Sequence, residues 1–204
     1  FNLDLDSGHE CAEIEVGGDL VVLDDGAALI GRGPIEIWCN GKHETLTLPG
    51  KAGFTLGLSR DARYALSFAE NSWSISDLRE GIVLGTEPSN WSAVSLFSVS
   101  EIGDGHAAVI DGSANVVVFR FGAECEFRVT RIETELWAPY RLSLSPSGEK
   151  LAVCSGLEKV AIWHFQDTFK RQAIVDCGGH RTLRSICIDD SGRVVFGCGS
   201  GEVG

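Results

Sequence analysis

Residues 142–163 read LSLSPSGEKLAVCSGLEKVAIW, and residues 186–204 read ICIDDSGRVVFGCGSGEVG. The two stretches superpose at a separation of 44 residues, with Leu142 on Ile186, Gly148 on Gly192 and Cys154 on Cys198. Each holds an apolar strand, a tight turn of small residues, a second apolar strand and the start of a third. Self-similarity at a fixed separation marks a repeat architecture, in which one supersecondary unit is stacked on the next.

The unit recurs toward the N-terminus. Its first tight turns fall at Asp25-Gly26, Asp61-Ala62, Asp104-Gly105, Ser147-Gly148 and Ser191-Gly192, at spacings of 36, 43, 43 and 44 residues. Two-residue turns of this chemistry accept positive φ and join antiparallel strands. The second strands, at 28–31, 64–68, 107–110, 151–154 and 194–197, are almost continuously apolar, as a strand covered on both faces requires. Third strands alternate: Ile35 and Ile37 beside Trp38, then residues 116–121 and 160–165. Fourth strands at 44–48, 82–84, 126–129 and 172–175 are more polar, which suits an outer edge. Four antiparallel strands per unit of this length predict an all-β propeller. The expected blades are 19–50, 51–91, 92–136, 137–177 and a composite of 178–204 with 1–18. In that fifth blade Phe1, Leu3 and Leu5 form a strand beside residues 194–197 and close the ring. The alternative is an arc of a larger propeller.

Composition is ordinary for a globular chain of 204 residues, with 44% hydrophobic and 23% charged residues. Glycine is abundant at 25, proline scarce at 5, methionine absent, and the first residue is Phe1, so a fragment or excised domain is expected. No apolar run reaches the roughly 18 residues that a membrane helix needs. The formal net charge of −12 repels nucleic acid and anionic lipid at long range, so neither is an expected partner. Seven scattered cysteines without a C-x-x-C predict a reducing, cytoplasmic setting rather than a disulfide scaffold.

These residues resemble the WD-repeat family over nearly the whole chain, most strongly from Leu142 onward. Gly179-His180 lies 12 residues before Gly192, near the place of the family's Gly-His pair, and Trp163 stands at its Trp position. The resemblance implies that His180, Trp163 and Trp38 hold structural blade positions. The chain departs from the family where His164 follows Trp163, Cys39 follows Trp38 and Arg120 follows Phe119, so no unit carries the complete Trp-Asp pair. Proteins of this kind act as scaffolds or sensors. In bacteria many form the C-terminal part of signalling or defence ATPases.

Chemistry-bearing patterns are few. Gly197, Gly199, Gly201 and Gly204 have dinucleotide-like spacing but open no helix, which that chemistry demands. Cys177-x-x-His180 lacks two further zinc ligands. His9, His43 and His106 sit in polar turns and are expected at the surface. Asn90-Trp91-Ser92 is a glycosylation sequon without relevance in a reducing compartment. Asp24-Asp25 and Asp189-Asp190 admit an alternative reading, a five-bladed glycoside-processing enzyme with paired carboxylates. With no nucleophile, metal or phosphate motif, the expectation is a non-enzymatic scaffold for a protein or peptide, with no cofactor. Its contacts are expected in loops entering the first strands: Trp91, Trp137, Tyr140, Arg181 and Arg184, the residue types that dominate interfaces.

Overall fold

The computed structural model describes residues 18–50, 53–89, 100–103, 105–111, 115–122, 127–134, 136, 139–155, 159–165, 169–177 and 183–199. These residues form strands and turns only. The first sheet holds β1 (Gly18–Leu23), β2 (Gly26–Gly31), β3 (Ile35–Cys39) and β4 (Lys42–Leu46). The second holds β5 (Phe54–Leu58), β6 (Tyr64–Ala69), β7 (Ser72–Asp77) and β8 (Ile82–Pro88), and the third β9 (Ser100–Gly103), β10 (His106–Ile110), β11 (Val116–Arg120) and β12 (Arg128–Ile132). The fourth holds β13 (Pro139–Leu144), β14 (Lys150–Ser155), β15 (Lys159–Phe165) and β16 (Phe169–Asp176), and β17 (Leu183–Ile188) pairs with β18 (Val194–Cys198). Every sheet runs in sequence order with antiparallel neighbours. This is the all-β propeller of four-stranded blades that the repeat predicts. The expected pairing of residues 1–5 with residues 194–197 lies outside the described residues.

Sheet contacts explain the composition of the second strands. From the second sheet onward the first strands of successive sheets approach one another, as β5 does β9 and β13 does β17, and each second strand meets the next first strand, as β10 meets β13. Residues of β10 therefore face two neighbours. Ala107 and Val109 pack toward the second sheet, while Ala108 and Ile110 pack toward the fourth. All five residues of β10 are buried, whereas residues 171–176 of the outer strand β16 are all exposed. The repeat extends to irregularities: the register slips between Pro139 and Arg141 in β13 and again, 44 residues later, between Leu183 and Ser185 in β17.

The first turn differs from the expectation. The hairpin pairs Leu23 with Gly26, so the turn residues are Asp24 and Asp25, and neither these nor Gly26 has positive φ. Gly26 is needed for space instead: a Cβ there would collide with the Trp38 carbonyl oxygen across the β2–β3 ladder. The later turns follow the expected chemistry, with positive φ at Ala62 (55°), Gly105 (69°), Gly148 (73°) and Gly192 (89°).

Candidate binding surface

The expected contact residues fall unevenly on the structure. Trp91, Trp137 and Arg181 lie outside the described residues, as do His180 and His9. Tyr140 lies on β13 itself, and Arg184 lies on β17, exposed, rather than in the loops before those strands. Among the described residues β9, β13 and β17 begin at Ser100, Pro139 and Leu183, and Trp91, Trp137 and Arg181 precede them in the sequence. Trp163 is buried at 3% exposure, with Leu151 as its ladder partner. Trp38 is half-buried and stacks on His43, ring centroids 4.9 Å apart. The His43 Nε2 lies 2.6 Å from a Glu36 carboxylate oxygen, which also accepts a hydrogen bond from the Thr45 hydroxyl at 2.9 Å.

One histidine contradicts the surface expectation. His43 is exposed, but His106 is buried at 7% exposure, with the Phe165 ring of the fourth sheet edge-on to it at 4.5 Å. Arg120, its ladder partner, lies over the same Phe165 ring. The polar neighbourhood of His106 in sequence is a turn, but the adjacent sheet covers the side chain.

The acidic pairs are built into turns. Asp189 accepts hydrogen bonds from the Ser191 hydroxyl at 2.6 Å and from Arg193 Nε at 2.6 Å and its backbone N–H at 2.9 Å. These donors hold its carboxyl well below the ordinary range. Asp190 reaches back to the preceding sheet, where the Ser147 hydroxyl at 2.7 Å and backbone N–H at 3.0 Å donate to it and lower its pKa. Asp24 and Asp25 are exposed, and the Asp24 N–H donates to the Arg60 carbonyl in the next sheet's turn at 3.0 Å. Turn-to-turn links of this kind tie sheets together.

Sequence reading missed a half-buried ion pair, in which the carboxylate is covered and the guanidinium partly exposed. Asp77, at 3% exposure, receives Arg63 Nε and Nη2 at 2.9 Å each, and its other oxygen accepts the Arg79 and Glu80 N–H groups at 3.0 and 3.1 Å. Burial pushes this carboxyl up, but the Arg63 hydrogen bond and the two backbone donors bring it below its usual value.

Beside this pair opens a groove of about 420 Å³. One wall is a single face of β3–β4, where Ile37 and Cys39 stand beside Lys42, Glu44 and Leu46. The opposite wall is made by the two turns of the second sheet, at residues 61–63 and 78–79. Asp61 is held by the Ser59 hydroxyl at 2.7 Å and the Arg63 N–H at 3.1 Å. Among the described residues no group of three or more His, Cys, Asp or Glu is placed to hold a metal ion, and no helix is long and apolar enough to cross a membrane.

The repeated stack of four-stranded antiparallel sheets defines a β-propeller. No family model and no curated protein matches the chain. Among solved structures it is similar to the beta-propeller domain of Cps50 (Swd1) from Myceliophteria thermophila, with a TM-score of 0.64 and 13% identity. That match covers 91% of this chain and 64% of the other, so the chain spans under two thirds of the propeller it resembles.

Proposed function

We propose that the chain is a non-enzymatic protein-interaction scaffold of the WD-repeat kind, a cytoplasmic module of a larger signalling or defence protein. The observation that carries this reading is the adjacency of successive first strands. Propellers meet partners on the rim where first strands begin, and in the sequence Trp91, Trp137 and Arg181 precede β9, β13 and β17, with Tyr140 and Arg184 within β13 and β17. Aromatic and arginine side chains on such a rim are what a protein or peptide partner would use. The turn carboxylates at 189 and 190 already serve turn and inter-sheet hydrogen bonds, which weighs against the glycoside-processing alternative.

The test begins with affinity capture and continues with the purified partner. Trp91→Ala and the double variant W137A/Y140A should weaken its binding at least tenfold while the β-type circular dichroism spectrum is retained. Unchanged affinity in both would remove the rim from the proposal, and hydrolysis of a glycoside panel abolished by Asp189→Asn and Asp190→Asn would replace it with the enzyme.

A further inference from the structure

We propose that the first sheet opens from the rest of the stack as a separate unit in the native state, because the seam that holds it lacks the bulky filling of the later seams. The inference stands independently of the scaffold reading above.

One ladder position recurs through the stack, opposite the second strand on the face turned toward the preceding sheet. Trp163 holds it opposite Leu151 in the fourth sheet, and Phe119 holds it opposite Ala107 in the third. Both rings are buried against the sheet before, Trp163 in one cluster with Ala108 and Ile110, Phe119 in another with Leu66 and Ile75. In the second sheet the position belongs to Ser76, opposite Ala65. The next row repeats the contrast: Thr55, Ser67 and Ser74 stand across the second sheet where Leu142, Val153 and Ala161 stand across the fourth. To the buried cluster that the first and second sheets share, the second sheet gives Leu58 and Ala65, against five residues from the first.

Hydroxyls in place of apolar groups weaken the seam twice. Less apolar surface leaves water on closure, and a buried polar group needs a partner. Thr55 Oγ1 and Ser76 Oγ lie in residues that are 2% and 1% exposed, and among the described residues neither has a hydrogen-bond partner. The outer wedges differ in the same sense. Between the second and third sheets the Phe127 ring lies so close to Gly85 of β8 that a Cβ there would overlap it, and it stacks with Phe119 at 6.2 Å. Between the first and second sheets the wedge is the open groove, with Leu46 and Leu78 only partly buried.

Strand contacts follow suit. The first sheet meets the second through β2 and β5, whereas β9 and β10 both lie against β13, and β13 and β14 both lie against β17. Two further ties involve exposed residues: the Asp24 N–H donates to the Arg60 carbonyl at 3.0 Å, and the Arg32 guanidinium lies 5.0 Å over the Phe54 ring. Proteins open in cooperative units of unequal stability, and the least packed unit opens most often. A detached sheet with neither face covered loses its ladder along with its packing, so its amides report the opening.

Native-state hydrogen exchange in low urea, on the 204-residue chain, reads this directly. The amides of β2 and β3 should exchange together, about 30-fold or more faster than those of β10 and β14, with a urea dependence that marks exposure of buried surface. Exchange of β2 and β3 that ignores urea would be fraying and would overturn the proposal, as would exchange at the rate of β10 and β14. Val153→Ala, in the seam between the third and fourth sheets, should speed β14 exchange about tenfold or more and leave β2 and β3 unchanged. An equal change in both would show one cooperative stack. Ser76→Ala removes an unpartnered hydroxyl from the first seam and should slow β2 and β3 exchange about threefold. Faster exchange in that variant would mean that the hydroxyl holds the seam together, and the proposal would fail.

Discussion

Two tryptophans occupy the same ladder position in two sheets and meet different fates. In the fourth sheet Leu144, Leu151 and Trp163 line up across three strands, all at 7% exposure or less, against Ala108, Ile110, Val116 and Val118 of the third sheet. In the first sheet Val22, Ala27 and Trp38 line up in the same register, yet Val22 is 75% exposed and Trp38 is half-buried. At the other end of the stack, Val195 of β18 is 53% exposed beside Cys187. Strand pattern prepares a face for burial. Only an adjacent sheet buries it, and among the described residues the first sheet has such a neighbour on one side alone.

The comparison can be broken most directly at the two rings. Trp163→Ala should cost about 4 kcal/mol, as truncation of a large buried aromatic does, and Trp38→Ala about 1 kcal/mol or less. Urea unfolding of the two variants checks this, and equal losses would mean that the first sheet's outer face is covered in solution.

Asp77 provides the next largest effect. Asp77→Ala leaves Arg63 and two turn amides without their acceptor and should cost about 3 kcal/mol by denaturant unfolding. Its folded pKa is lower than its unfolded one, so its stabilising contribution is present above the ordinary carboxylate range and is lost as pH falls through the folded value. Asp189 and Asp190 shift in the same direction. Melting temperature should therefore hold between pH 7 and about 5 and decline below about 4. Asp77→Asn should flatten part of that decline.

Backbone contacts give smaller effects. Gly26→Ala forces a methyl against the Trp38 carbonyl and should destabilise by about 2 kcal/mol, the scale of overpacking. Ala62 holds the positive φ that glycine holds at 105, 148 and 192. Ala62→Gly relieves that strain but adds unfolded-chain entropy, so a gain of about 0.5 kcal/mol is expected from the melting shift. A loss would show that the Ala62 methyl, which packs on the core beside the groove, outweighs the strain.

Much of the fold was legible because the propeller repeats its physics. Apolar second strands, small-residue turns and polar outer strands follow from a strand's distance to the axis. The third strand of the second sheet, β7, was missed. Its pattern SWSISD pairs Trp73 and Ile75 on one face with Ser72, Ser74 and Ser76 on the other, and the short serine side chains hide the strand from an apolar count. The groove was not legible at all, because its walls come from three segments brought together by the stacking of two sheets. The burial of His106 was misread for the same reason, since Phe165 lies 59 residues away in the chain.

The residue pattern alone therefore sets the strand order, the repeat length and which face of each strand is apolar, since these depend on neighbours in the chain. Whether a prepared face is buried, as at Trp163, or open, as at Trp38, depends on which sheet lies against it. So does the choice between a wedge filled by Phe127 and one left as a charged groove, because inter-sheet contacts join residues whose separation no local periodicity records.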